Sequence, residues 1–211
     1  MNQKGKHQFE INGQKHFNVI FAYGNLDIAF GYNLGYNWLV AMLLHYTGGD
    51  EEKSFYALVV VMMDFDWRGY FAEGLPRTVN LVSRMPDFLQ TYIPSVCQLI
   101  VNAGESFLLE VLNHNLASRF IAVIFTQDVP IEISRRILDV FFYEGTGEPT
   151  LLRILGNIMK FTEERAIDYA AECESDECRA HKIVKYYSSC KFITEAFNMT
   201  SIDHILGSDI D

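Results

Sequence analysis

Several groups of residues in this 211-residue chain have the types that chemistry needs. Cys173 and Cys178 sit in Cys-Glu-Ser-Asp-Glu-Cys, with His181 just beyond, and invite a metal. The spacing is no zinc knuckle, no second Cys/His pair balances it, and His181 alone does not complete a tetrahedral set. No metal or cofactor is therefore expected, and these cysteines read as free buried or surface thiols. Asp64 and Asp66 flank Phe65 but point to different sides of a helix or loop, so paired-carboxylate catalysis has no pocket partner. Gly145-Thr146-Gly147 is followed by Glu148 and Pro149, with no lysine for a phosphate, and reads as a loop. His45 and His114 are isolated and read as satisfied core or interface side chains. No hydrolase elbow, P-loop, dinucleotide fingerprint or HExxH motif occurs. On its own motifs the chain is not a self-contained enzyme.

One stretch remains, Gly-Tyr-Asn-Leu-Gly-Tyr-Asn-Trp at 31–38. Tyr32, Asn33, Leu34, Gly35 and Asn37 lie directly before an apolar run. The stretch either begins a buried helix, with Gly35 allowing a tight turn, or is an active-site loop.

The elements around it read as helices. Residues 38–46 are apolar nearly all round, which predicts a central, enclosed helix ended by Gly48-Gly49. Asp50-Glu51-Glu52 opens the next. Residues 59–61 are three valines, but the run from Phe55 to Met63 lacks Gly or Pro and is too long for an ordinary strand. Asp128-Val129-Pro130 opens a helix with the stripe Ile133, Ile137 and Phe141, a Glu132 within reach of Arg135 and Arg136, and a stop at Gly145. Leu151, Ile154, Leu155, Ile158 and Met159 recur at helical spacing after Pro149 in a first turn. Thr162-Glu163-Glu164 reads as an N-cap with acid in the first turn, introducing a further helix. The acidic stretch 172–177 reads as a solvated helix face or loop. The expectation is all-α, a single multi-helix domain around a central buried helix.

A chain of this length buries roughly 70% of its unfolded surface and needs no staple. Net charge is −10, with apolar residues at 49% and charged ones at 21%. That balance argues against nucleic acid or an anionic membrane as the main partner. The N-terminus leads into no apolar signal region, position 2 is Asn, no cysteine lies near the C-terminus, and the longest apolar runs are far too short to span a bilayer. A soluble, cytoplasmic protein is expected.

In order along the chain, six segments resemble the TBC domain, the module of Rab GTPase-activating proteins. Phe17-Asn-Val-Ile-Phe-Ala-Tyr23 resembles its "LFNVLKAY" helix, and Gly31-Tyr-Asn-Leu-Gly-Tyr-Asn37 its "GYxQGMN" loop, with the apolar helix following. Gly69-Tyr-Phe-Ala-Glu-Gly-Leu-Pro76 is similar to "GYYxxGLP". Residues 116–125 resemble "YxxxWFLTLF" with Phe120 in the tryptophan position, and residues 136–145 resemble "RIWDxFFxEG" with Leu138 replacing tryptophan. Leu138 and Phe120 are expected in the core, and Arg136 and Asp139 in a helix-anchoring polar contact. The resemblance implies a TBC-like domain over residues 1–161, lacking the upstream arginine-finger segment, and a C-terminal helical extension of the same domain over 162–211.

In the family an arginine from an upstream IxxDxxR motif stabilises charge on the transferring phosphate, and the glutamine of YxQG orients the attacking water. A planar cation suits the first task and an amide that donates and accepts suits the second. Here Leu34 occupies the glutamine position, so no catalytic residue is assigned. Asn33 is adjacent but shorter and in the variable position. The first arginine is Arg68, downstream of the loop, and Lys4, Lys6 and Lys15 before it lack the bidentate fork.

The resemblance thus implies a regulator that binds a GTP-loaded Rab-type small GTPase through Tyr32, Asn33, Leu34, Gly35 and Asn37. Its GAP activity is expected to be weak or lost, making it an activator or binder rather than an enzyme, reaching membranes only through the GTPase. Two alternatives stand: a working GAP that uses the GTPase's own glutamine and Arg68, Arg77, Arg84 or Arg119, or a helical scaffold with no GTPase partner.

Overall fold

The computed structural model describes the backbone of residues 3–207, and the side chains of residues 13–207 apart from Leu34, Ile202 and Asp203. The side chains of Lys4, Lys6 and Leu34 therefore lie outside the described part. Among the described residues there is no strand, and eleven α-helices run α1 (Gln3–Leu26), α2 (Asn37–Tyr46), α3 (Glu51–Val59), α4 (Pro76–Tyr92), α5 (Pro94–Asn102), α6 (Ser106–Leu116), α7 (Ile131–Glu144), α8 (Glu148–Ala170), α9 (Asp176–Tyr187), α10 (Lys191–Met199) and α11 (Ile202–Leu206).

The stops follow from the residues at them. Gly48 and Gly49 hold φ of +70° and +82°, a region that costs a glycine nothing, and end α2. Asp50 then caps α3 by accepting from the Lys53 N–H at 3.0 Å. Gly145, at φ +64°, closes α7, and Pro149 lies in the first turn of α8. The three valines are helical, as their uninterrupted flanks predict, but α3 widens there into a π-turn, Val60–Asp64.

Helix α8 packs against α4, α5, α7, α9, α10 and α11, and its stripe Leu151, Ile154, Leu155, Ile158 and Met159 is wholly buried. The new helix expected at Thr162 does not occur. Thr162 is buried inside α8, and its hydroxyl donates back to the Ile158 carbonyl at 2.9 Å. A buried threonine that satisfies itself on the preceding turn leaves the helix intact, so the capping signature there is only apparent.

Helix α2 packs against α1, α3 and α7 and buries Leu39, Val40, Met42, Leu43 and Leu44. It is not enclosed all round, because Trp38, Ala41 and His45 form an exposed stripe at helical spacing. His45 and His114 are both exposed, not core residues. Phe120 and Leu138 are fully buried, as expected. Asp139 accepts from the Tyr46 hydroxyl at 2.9 Å and pairs with Arg136 at 3.6 Å, tying α7 to α2. In α7 the buried face is Ser134, Ile137, Leu138 and Phe141, with Ile133 only half-buried.

The cysteine expectation also changes. Cys173 and Cys178 are joined as a disulfide, while Cys97 and Cys190 are free. The turn between α8 and α9 brings their Cα atoms to 5.8 Å, inside the range a disulfide needs. The surrounding acidic residues are exposed, as a solvated stretch should be.

Candidate functional site

The 31–37 loop is built from both sides. On the upstream side, α1 ends at Leu26 and the chain turns on Asp27, whose carbonyl accepts from the N–H groups of Phe30 (3.1 Å) and Gly31 (2.8 Å). The Asp27 side chain is only 7% exposed, and Tyr23 O–H donates to it at 3.0 Å. Burial, and then the Asp27 carboxylate, push the Tyr23 phenol well above its usual range. Gly31 has φ +65°, so a side chain there would be strained.

On the downstream side a short turn, Trp67–Tyr70, supports the loop. The Trp67 indole N–H donates to the Ala122 carbonyl at 2.8 Å, which fixes this turn in the core. From it the Arg68 guanidinium reaches Asp27, with Nε 2.8 Å from Oδ2 and Nη2 2.9 Å from Oδ1. The same guanidinium lies over the Phe30 ring, 5.6 Å from its centre. Phe71 packs edge-on against the buried Tyr36, and its carbonyl accepts from the Asn33 amide at 2.7 Å.

Within the loop, Asn33 Oδ1 accepts from the Gly35 N–H at 2.8 Å. Asn33 is thus engaged at both ends of its amide, and its role is to hold the turn Leu34–Tyr36 from which α2 starts. A Cβ on Gly35 would come within 2.7 Å of the Phe71 ring. Tyr36 O–H donates to the Gly31 carbonyl at 3.2 Å, and burial raises that phenol too. Asn37 donates from Nδ2 to the Tyr32 hydroxyl at 3.0 Å, and its carbonyl meets His16 Nε2 at 2.9 Å.

Of the four singled-out residues whose exposure is described, Tyr32 presents the most surface, at 61% exposed. Asn33, Gly35 and Asn37 are half-buried. Leu34 opens the turn Leu34–Tyr36. Beside the loop, α1, α2 and the start of α7 enclose a groove of about 740 Å³, lined by His16, Trp38, Ala41, His45, Val129 and Ile131 among others. It is an apolar hollow in the exposed stripe of α2, and sequence reasoning missed it because that helix reads as enclosed.

The four arginines considered as replacements are all committed. Arg68 pairs with Asp27, Arg77 with Asp66 at 3.5 Å, Arg84 with Glu148 at 2.5 Å and Arg119 with Asp128 at 2.8 Å. Only Arg68 of the four pairs with Asp27, while Arg77 lies over the Tyr70 ring of the same turn, 5.6 Å from its centre. Lys15 is likewise engaged, donating to the Gly49 carbonyl. Glu148, the first residue of α8 just after the Gly145–Gly147 loop, takes Arg84 and the Tyr70 hydroxyl and is a structural carboxylate. Among the described residues Glu105, Glu177 and His181 also bring ligand atoms within 4.8 Å of one another, a grouping at the α6–α9 contact in which Glu105 is half-buried and the other two are exposed. Such exposed carboxylates commonly gather without an ion.

Several named proteins are similar to this chain. It is 31% identical over 130 residues to growth hormone-regulated TBC protein 1 of Xenopus tropicalis, covering 62% of this chain and 36% of that protein. It is 27% identical over 151 residues to GTPase-activating protein GYP5 of Saccharomyces cerevisiae, covering 72% and 16% respectively. It is 24% identical over 188 residues to Rab GTPase-activating protein tbc-11 of Caenorhabditis elegans, covering 82% and 19%. The chain thus spans well under half the length of these relatives. No solved structure matches it.

These names overturn one expectation. A binder that is not an enzyme does not fit relatives named as GTPase-activating proteins, because activation of a GTPase is a catalytic role. The sequence reading weighs a missing glutamine and a missing arginine finger and overlooks that a helper in trans is itself a catalyst. No described helix is long and apolar enough to cross a membrane. The Rab-GTPase-TBC domain model matches residues 3–167, most of the chain and all six resembling segments, and the chain belongs to that family.

Proposed function

We propose that this chain engages a GTP-loaded Rab-type small GTPase through the 31–37 loop and accelerates its GTP hydrolysis only weakly. The observation that carries this is Leu34 in the position where the family places a water-orienting glutamine. A leucine side chain neither donates nor accepts a hydrogen bond. The commitment of Arg68, Arg77, Arg84 and Arg119 to carboxylates supports the same reading, since none is held ready for a phosphate. In this reading residues 1–161 form the GTPase-facing unit and 162–211 a helical extension of the same domain. Any association with endomembranes then comes through the GTPase partner, in the service of vesicle trafficking.

The test is single-turnover GTP hydrolysis by a panel of GTP-loaded Rabs, with the protein in excess, for the natural chain and for Leu34→Gln. The natural chain should bind one or more Rabs and accelerate hydrolysis slightly, and the glutamine should raise the stimulated rate on the order of tenfold. Strong acceleration by the natural chain, unaltered by Leu34→Gln, would refute the role given to position 34. Failure of both forms to bind any GTP-loaded Rab would refute the partner.

A further inference from the structure

We infer that Arg68 is a positioning residue for the 31–37 loop: through the buried Asp27 carboxylate it sets how the loop is presented to the GTPase. The partner in that statement is the one proposed above, whereas the clamp itself stands on geometry.

Arg68 Nη2 donates to Asp27 Oδ1 at 2.9 Å, and its Nε stands 2.8 Å from Oδ2 as an ion-pair contact without hydrogen-bond alignment. A buried carboxylate stripped of its cation is costly, so Asp27 is pinned wherever Arg68 holds it. Three connections then run from the turn at 67–71 into the loop. The Asp27 carbonyl holds the N–H groups of Phe30 and Gly31, which start the loop. The Phe30 ring, under the guanidinium, stacks on Tyr36 at 6.2 Å, near the loop's end. Phe71, on the turn that carries Arg68, holds the Asn33 amide in the loop's middle.

Arg68 is 42% exposed, but its guanidinium is already paired with Asp27. Swinging it onto a phosphate would leave Asp27 unpaired in the core, so its part is played through the loop rather than on the nucleotide. A lysine in its place keeps the charge and loses the second point of contact. The signal is absent from the local sequence because Asp27 and Arg68 are 41 positions apart.

Amide hydrogen exchange and Rab binding, both on the full chain, test this with Arg68→Ala, Arg68→Lys, Asp27→Asn and the double variant Asp27→Asn/Arg68→Ala. In Arg68→Ala the Gly31 and Gly35 amides should exchange about tenfold faster while those of residues 151–159 in α8 stay slow. Affinity for the GTP-loaded Rab that binds the natural chain should fall roughly tenfold. Arg68→Lys should recover part of both effects, and the double variant should lose no more than Arg68→Ala alone.

Unchanged exchange at Gly31 and Gly35 overturns the inference. So does faster exchange spread through α8 as well, which makes Arg68 merely a contributor to global stability. A freed loop with undiminished affinity overturns it too. If the natural chain binds no Rab, the proposed partner fails, and the clamp is decided by the exchange data alone.

Discussion

Gly35→Ala puts the packing of the loop against the 67–71 turn to a direct test. The added Cβ would stand 2.7 and 2.9 Å from two Phe71 ring carbons and 3.1 Å from Asn33 Oδ1, where ordinary contact begins at 3.4 Å. Backbone conformation is not the obstacle, since Gly35 is not among the glycines with positive φ. The obstacle is Phe71, which is buried and held edge-on by Tyr36, and so has little room to retreat. Overpacking of this kind typically costs about 1–3 kcal/mol. In a domain of this size each kcal/mol lowers Tm by about 2–4 °C, so a fall of roughly 2–12 °C is expected. Thermal unfolding followed by circular dichroism measures it. Phe71→Leu, which trims the ring, should destabilise alone and yet remove most of the extra cost of Gly35→Ala when the two are combined. A Gly35→Ala protein as stable as the natural one, or a double variant whose losses simply add, would refute the account of why this position is glycine.

Two further outcomes follow from buried polar groups. Burial raises the phenol pKa values of Tyr23, Tyr70, Tyr186 and Tyr187 above the usual value of 10.0, with Asp27, Glu148 and Glu195 adding to the first three. A folded-state pKa raised above the unfolded one gives stability that is whole below pH 10 and lost as pH rises through the folded values. Alkaline titration should therefore show the last of the phenolate absorbance, that of these four buried rings, appearing together with loss of helix, and ionisation of all four phenols in a still-folded protein would contradict it. Glu148→Gln should cost about 1–3 kcal/mol in urea unfolding, because it removes a nearly buried carboxylate from both Arg84 and Tyr70. A neutral result would mean that Arg84 and Tyr70 are satisfied as well by an amide.

Punctuation in the chain was legible because it is local. Gly48-Gly49, Asp50, Gly145 and Pro149 announce their stops and starts by their own conformational limits, and each stands where it was expected. Thr162 misled for the same reason: Thr-Glu-Glu reads as a cap in isolation, and only burial against the rest of the fold shows the helix running on. Residues 31–37 alone leave a helix start and an active-site loop both open, the likeness to the family's loop needs all six segments, and the loop's supports are not legible at all. Asn33 is held by Phe71 across 38 positions and Asp27 by Arg68 across 41, separations over which residue spacing carries no signal. An aspartate after α1 reads simply as turn polarity, and nothing in its neighbours marks it as buried. The exposed stripe of α2 was hidden by composition, since tryptophan and alanine look like core until neighbouring helices leave them uncovered.

The two tryptophans give the protein an optical consequence. Trp67 is sealed in the core with its indole N–H bonded to Ala122, whereas Trp38 is 48% exposed, one residue beyond the loop. Their emission should separate into a blue, unquenchable component and a redder one open to iodide. Whatever settles on the loop will therefore shift the second signal and leave the first as an internal standard, with no label attached.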